Sequence, residues 1–152
     1  MDVSDQKMIV QFRDSPEADA IARANRKTLI DALQALMGGN EAAFWAIYDP
    51  DVVFHEAPGL PYGGEHRGLA ATQRAFAQMC ATYSDMHTVF EAVLADQDIV
   101  ILYQTITFKV AANGNTGTLP VSEMFRFRAG KVVEWRALYF DSAMVVKATT
   151  GA

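Results

Sequence analysis

The chain has 152 residues, 51% of them hydrophobic and 20% charged, so it is long enough for one core and too apolar for a disordered chain. Thirteen basic against eighteen acidic residues give a net charge of −5, which argues against nucleic acid as the main partner. The single cysteine, Cys80, excludes an internal disulfide and a thiolate metal cluster, and no apolar run reaches the ~18 residues of a membrane span.

The start of the chain has no basic region leading into an apolar stretch, so no signal peptide is expected and a cytoplasmic protein is. Residues 1–14 read as a short extension of a single domain over 1–152. Asp14-Ser15-Pro16-Glu17 opens a helix, with a cap, a first-turn proline and an acid at the positive end of the dipole. Ile21, Thr28, Leu29, Ala32, Leu33, Leu36 and Met37 continue it at helical spacing, and Gly38-Gly39 stops it. Asn40 caps a short second helix carrying Ala43, Phe44 and Ile47, which Asp49-Pro50 ends. Asp51 to Glu56 is rich in β-branched and aromatic residues and reads as a strand. The Pro/Gly-dense stretch Ala57 to Gly64 reads as irregular. A third helix follows Gly68, with Phe76, Met79, Cys80 and Tyr83 on its apolar side and Cys80 as inert core.

The second half predicts four strands: Met86 to Ala95, Ile99 to Val110, Thr118 to Arg128 and Lys131 to Phe140. The short polar connections between them favour antiparallel hairpins. Three helices leading into one antiparallel sheet give an α+β domain.

Alternation of side chains along a strand sorts the residues by face. Val52, Phe54 and Glu56 fall together, with Val53 and His55 opposite. Val100, Leu102, Gln104, Ile106, Phe108 and Val110 form a mostly apolar row. Val121, Glu123, Phe125 and Phe127 form another, and Val133, Trp135, Ala137, Tyr139 and Asp141 a third. Glu56 and Glu123 thus each interrupt an apolar row, and Asp141 ends one. A bare carboxylate in such a setting costs several kcal/mol, so its protonated form competes and the group becomes a usable acid or base near neutral pH. The competing reading is a solvated, idle acid at a pocket rim or sheet edge. His55 faces away from Glu56, towards a helix or a dimer surface. His66 and His87 read as solvated. An iron site from His55, Glu56 and His66 fits no known spacing.

Tyr48 to Glu56, and Glu123 to Phe127 running into Gly130 to Asp141, resemble the nuclear-transport-factor-2-like superfamily, in particular its SnoaL-like polyketide cyclases and ketosteroid isomerases. Leu60 to Gly64 with Arg67-Gly68 is similar to a SnoaL-like subgroup, and the resemblance runs from about Asp31 to about Val146. It implies a cone: a strongly bent antiparallel sheet around three N-terminal helices, an internal apolar pocket, and a homodimer through the outer face. By position, Glu56 falls where the isomerases keep their general base. Glu123 falls near their protonated second acid, and Asp141 where the cyclases carry an acid/base aspartate. The first helix lacks the isomerases' tyrosine, the equivalent position being about Ala32, which argues against a steroid isomerase. Arg126 and Arg136 point outward by alternation, which argues against the Asp-Arg-Asp set of epoxide hydrolases of this fold. The expected function is an isomerase or cyclase without cofactor or metal, acting by enolisation or aldol-type chemistry on a small apolar carbonyl compound. Glu56, Glu123 and Asp141 are its expected catalytic groups. Phe54, Tyr62, Gln104, Ile106, Phe108, Phe125, Trp135, Ala137 and Tyr139 are expected around the substrate. The alternative is a non-catalytic ligand-binding or accessory dimer module of the same fold.

Overall fold

The computed structural model describes residues 16–151, so the expected N-terminal extension and the Asp14 or Ser15 cap lie outside the described residues. Helix α1, Pro16–Met37, buries Ala22, Leu29 and Ala32 along one stripe. Gly39, at φ +84°, ends it, and the Asn40 amide folds back to donate to the Ala35 carbonyl at 2.8 Å. The Asn40 side chain then caps α2, Glu41–Trp45, by accepting from the Ala43 amide at 3.1 Å. This helix is shorter than expected. Strand β1, Tyr48–Glu56, already contains Asp49-Pro50, because the chain turns extended as soon as Phe44 and Trp45 are buried.

A short strand β2, Gly64–Arg67, folds back on β1 where the sequence suggested only loop. Its approach depends on Gly63, where a side-chain carbon would run into the Ala57 carbonyl. Helix α3, Leu69–Thr82, is followed directly by β3, Tyr83–Asp96, so Tyr83 is a strand residue and not a helical one. Strands β4, Ile99–Val110, β5, Thr116–Arg128, and β6, Lys131–Tyr139, follow the expected hairpins. A final helix α4, Ser142–Thr150, was not anticipated.

The strands form one six-stranded sheet in the order β2-β1-β6-β5-β4-β3. Every neighbouring pair is antiparallel except β1 and β6, which run parallel, so the sheet is mixed and not wholly antiparallel. Hairpin signals fix the partners of consecutive strands and say nothing about two strands separated by most of the chain. Register shifts interrupt β3 near Phe90 to Ala92 and the β5–β6 pair beyond Arg126. The latter puts Val132 in the core and turns Val133 outward, reversing the expectation for Val133.

All four helices cover one face of the sheet, and the core there has two parts. One gathers Leu29 and Ala32 of α1, Phe44 and Trp45 of α2 and Ala75 of α3 against Phe54, Phe125 and Trp135. The other gathers Leu60, Tyr62, Phe108, Leu119 and Val121 under Val145 and Ala148 of α4. Asn25 ties α1 to the β3–β4 turn by donating to the Gln97 carbonyl at 3.3 Å.

Candidate active site

A cavity of about 210 Å³ opens between the two parts of the core and takes its walls from both. Leu33, Phe44, Phe125 and Trp135 form one wall, and Phe108, Leu119 and Val145 form the other. Phe76, Met79 and Cys80 of α3 face Met86 and Phe90 of the edge strand β3. Cys80 is exposed here and not core; burial of part of its surface still pushes its thiol pKa up. Of the side chains expected around a substrate, Tyr62, Gln104, Ile106, Phe108, Phe125, Trp135 and Tyr139 line the cavity. Phe54 and Ala137 do not. Phe54 is fully buried behind Trp135, with ring centroids 4.2 Å apart, and Ala137 pairs across the ladder with Glu123.

Glu123 lies on the cavity wall, as strand alternation predicts for its row. It is half-buried, and the surface it keeps belongs to the cavity wall. Loss of hydration pushes its pKa from 4.5 up to about 7, while the Trp135 indole and the Gln104 amide pull it down. Two buried donors beside it, the Tyr48 hydroxyl and the Trp135 indole nitrogen, have no hydrogen-bond partner of good geometry. Burial, and then the charge of Glu123, push the Tyr48 pKa well up, so Tyr48 stays a neutral phenol.

Glu56 is buried, with 6% of its surface exposed, but it does not itself line the cavity. It sits one layer back, behind Tyr139, whose hydroxyl donates to Glu56 Oε2 at 3.0 Å. Burial and then repulsion from Glu123 push its pKa from 4.5 up to about 8, against the opposing bonds from Tyr139 and the Ala57 amide. From Tyr139 a chain of hydroxyls continues, 3.5 Å to Tyr62 and 2.6 Å from Tyr62 to Tyr83. Burial raises the pKa of all three phenols, so none ionises at neutral pH. Tyr62 is fixed from its backbone side. His66 Nε2 meets the Tyr62 carbonyl at 2.9 Å, and the Gln78 amide donates to the Pro61 carbonyl at 2.6 Å. Tyr83 was missed by sequence reasoning because it sat at the end of a helical pattern. The change of period at Tyr83-Ser84 was the available signal.

Asp141 does not reach the cavity. It is exposed and caps α4, accepting from the Met144 amide at 2.9 Å. The strand ends at Tyr139, so alternation no longer governs where Asp141 points. His55 lies on the opposite face of the sheet, 3.6 Å from Glu65 and 3.4 Å from Glu134. His66 is half-buried, held by the Tyr62 carbonyl instead of solvated. Among the described residues no group of three His, Cys, Asp or Glu side chains is placed to hold a metal ion. No helix there is long and apolar enough to cross a membrane.

A helix-covered mixed sheet closing on an apolar cavity with an acid in its wall defines a domain of α+β class built around a pocket. A SnoaL-like domain matches residues 29–135, and the chain belongs to that family, within the NTF2-like superfamily. Its fold is similar to that of an NTF2-like protein of unknown function from Burkholderia pseudomallei, at TM-score 0.74 and 20% identity, covering 84% of this chain and 98% of that one. It is also similar to a putative SnoaL-like polyketide cyclase from Jannaschia sp., at TM-score 0.74 and 17% identity, covering 93% and 99%. An epoxide hydrolase from M. tuberculosis is similar at TM-score 0.61 and 15% identity, covering 86% and 92%. No curated protein matches the chain.

Proposed function

We propose that the chain binds a small, largely apolar carbonyl compound and moves a proton next to its carbonyl group, as an isomerase or cyclase without cofactor. The observation that carries this reading is the placement of Glu123 on the wall of a cavity that also holds the Tyr139 hydroxyl, backed by buried Glu56. Glu123 is then the base. With a pKa near 7 it is substantially ionised at neutral pH and strong enough to take a proton activated by an adjacent carbonyl. The electron pair left on carbon moves onto the carbonyl oxygen. Tyr139 donates to that oxyanion, and Tyr62 supports it.

Glu56 sets the direction of the hydroxyl chain. A hydroxyl carries one proton and rotates to suit its partners. Ionised Glu56 accepts the Tyr139 proton and turns it away from the cavity. Protonated Glu56, favoured below about pH 8, donates to the Tyr139 oxygen and leaves the Tyr139 proton for the ligand. Activity needs Glu123 ionised and Glu56 protonated, so the rate should follow a bell-shaped pH profile whose two limbs belong to the coupled pair, both raised above the ordinary carboxylate range. The roles differ from those expected from family position, where Glu56 was the base.

Deuterium exchange at activated α-positions, followed by NMR across ketones and 1,3-diketones, tests the reading. We expect exchange above buffer that Glu123→Gln abolishes and Tyr139→Phe slows. Binding without exchange for every compound would leave a ligand-binding module of the same fold. The outer sheet face, with Leu94 62%, Leu138 50% and Phe140 84% exposed, suits a homodimer, and sedimentation of Leu138→Asp against the parent tests that assignment.

A further inference from the structure

The proposed chemistry asks only for a carbonyl, yet the cavity has a charge character of its own. Nine aromatic rings line it, and among the described residues no lysine, arginine or histidine does. Its one carboxyl group among the described residues, Glu123, has the Trp135 indole and the Gln104 amide beside it and no cationic side chain on the wall. Glu56 adds a second acid one layer behind, bonded only to a phenol and a backbone amide. The ion-paired carboxylates Asp31, Glu65, Asp98 and Glu134 all lie outside this cavity. Among the described residues Glu123 differs from the other unpaired acids in standing on an aromatic wall. Ring faces are negative and attract cations. In a dry site an uncompensated carboxylate attracts a cation far more strongly than in water.

We propose that the cavity selects ligands carrying a protonated amine on an aromatic or aliphatic frame, the ammonium group sitting against Glu123 within the aromatic lining, and that it rejects carboxylates. The inference rests on the cavity being a ligand site, and it holds whether or not the chain catalyses proton transfer. An anionic ligand would put a further negative charge beside Glu123 on the wall and Glu56 behind it and favour the protonated form of both. An ammonium group does the opposite: it draws Glu123 into its ionised form and expels a proton. The titratable groups that feel the charge of Glu123 are Glu56 and Tyr48 from β1 and Tyr139 from β6, while Tyr62 from the loop, Cys80 from α3 and Tyr83 from β3 share its cavity wall. All are acids, and none offers the positive charge that the ligand would.

Three probes of one shape separate the possibilities: 2-naphthylmethylamine, 2-naphthylmethanol and 2-naphthoate, titrated calorimetrically into the folded protein at pH 6.5 and 8. We expect the amine to bind at least about ten-fold tighter than the alcohol at pH 8, and the naphthoate not to bind. In buffers of different ionisation enthalpy, amine binding at pH 6.5 should release a proton. Glu123→Gln, of equal volume, should remove both the preference and the proton release. Should that variant fail to fold, the proton release of the parent protein decides alone. Equal or tighter binding of the alcohol or the naphthoate, amine binding without proton release, a preference that survives Glu123→Gln, or no binding of any probe at millimolar concentration overturns the proposal. A neutral ketone that undergoes exchange while the amine does not bind would overturn this selectivity and leave the proposed reaction standing.

Discussion

Glu123 and Glu134 stand on neighbouring strands of one sheet, and the two faces of that sheet treat them in opposite ways. On the inner face Glu123 has an indole and an amide for company, and dehydration lifts its pKa to about 7. On the outer face burial also pushes Glu134 up, but Arg136 at 2.7 Å and Arg126 at 3.3 Å outweigh it and hold the carboxylate below its ordinary range. Arg126 in turn reaches Asp98 at 3.1 Å. A carboxylate with its counter-charge beside it is fixed in one state and does no acid–base work at neutral pH. One left without a counter-charge in a dry wall is poised between states.

The contrast can be broken most sharply by activity. Glu123→Gln should lower α-proton exchange by about 10²–10⁴-fold, while Glu134→Gln should leave it unchanged, as measured by initial exchange rates. Packing differs between the faces as well. Trp135→Ala should cost about 3–5 kcal/mol in denaturant unfolding, because its ring contacts Phe54 and Phe125 in the core, whereas Arg136→Ala should cost less than about 1 kcal/mol. Stability should also depend on pH through the inner acids. Their folded pKa values, about 8 and 7, lie above the ordinary 4.5, so the folded state binds protons more tightly. That stabilisation is complete below about pH 4.5 and disappears as pH rises through 7 to 8. Unfolding free energies from urea titrations should therefore fall from pH 5 to pH 8.5, on the order of 6 kcal/mol in all, and Glu56→Gln should flatten the slope. Asp141→Ala should cost only about 1 kcal/mol and spare exchange, separating a helix cap from a catalytic acid. The smallest effect belongs to the outer face. Glu134→Gln should change stability by about 0.2–1 kcal/mol, and less at high salt.

The row containing Glu123 was legible because β5 is regular from Leu119 to Phe125, and alternation there carries straight from sequence to cavity wall. Gln104, Ile106 and Phe108 on β4 were legible for the same reason. Alternation fails where a strand slips or stops. Val133 was misassigned by a register shift and Asp141 by the end of β6, and neither leaves a trace in residue type. That Glu56 stands behind Tyr139 was beyond reach. Both occupy inward positions of adjacent strands, and only the tilt of a parallel pair decides which side chain fronts the cavity. The parallel pairing was itself hidden, since β1 and β6 are brought together by everything folded between them.

The loop carrying Tyr62 has a consequence for how molecules come and go. Two successive carbonyls of that loop are pinned, one by the imidazole of His66 and the other by the amide of Gln78, so this wall cannot swing aside cheaply. The side where Met79, Cys80 and Met86 meet is the softer route for traffic, with flexible thioethers and an edge strand that has no neighbour beyond it among the described residues. Guest size is therefore set at a soft doorway, and guest orientation at a rigid back wall. A change of clientele could be made at the first without disturbing the second.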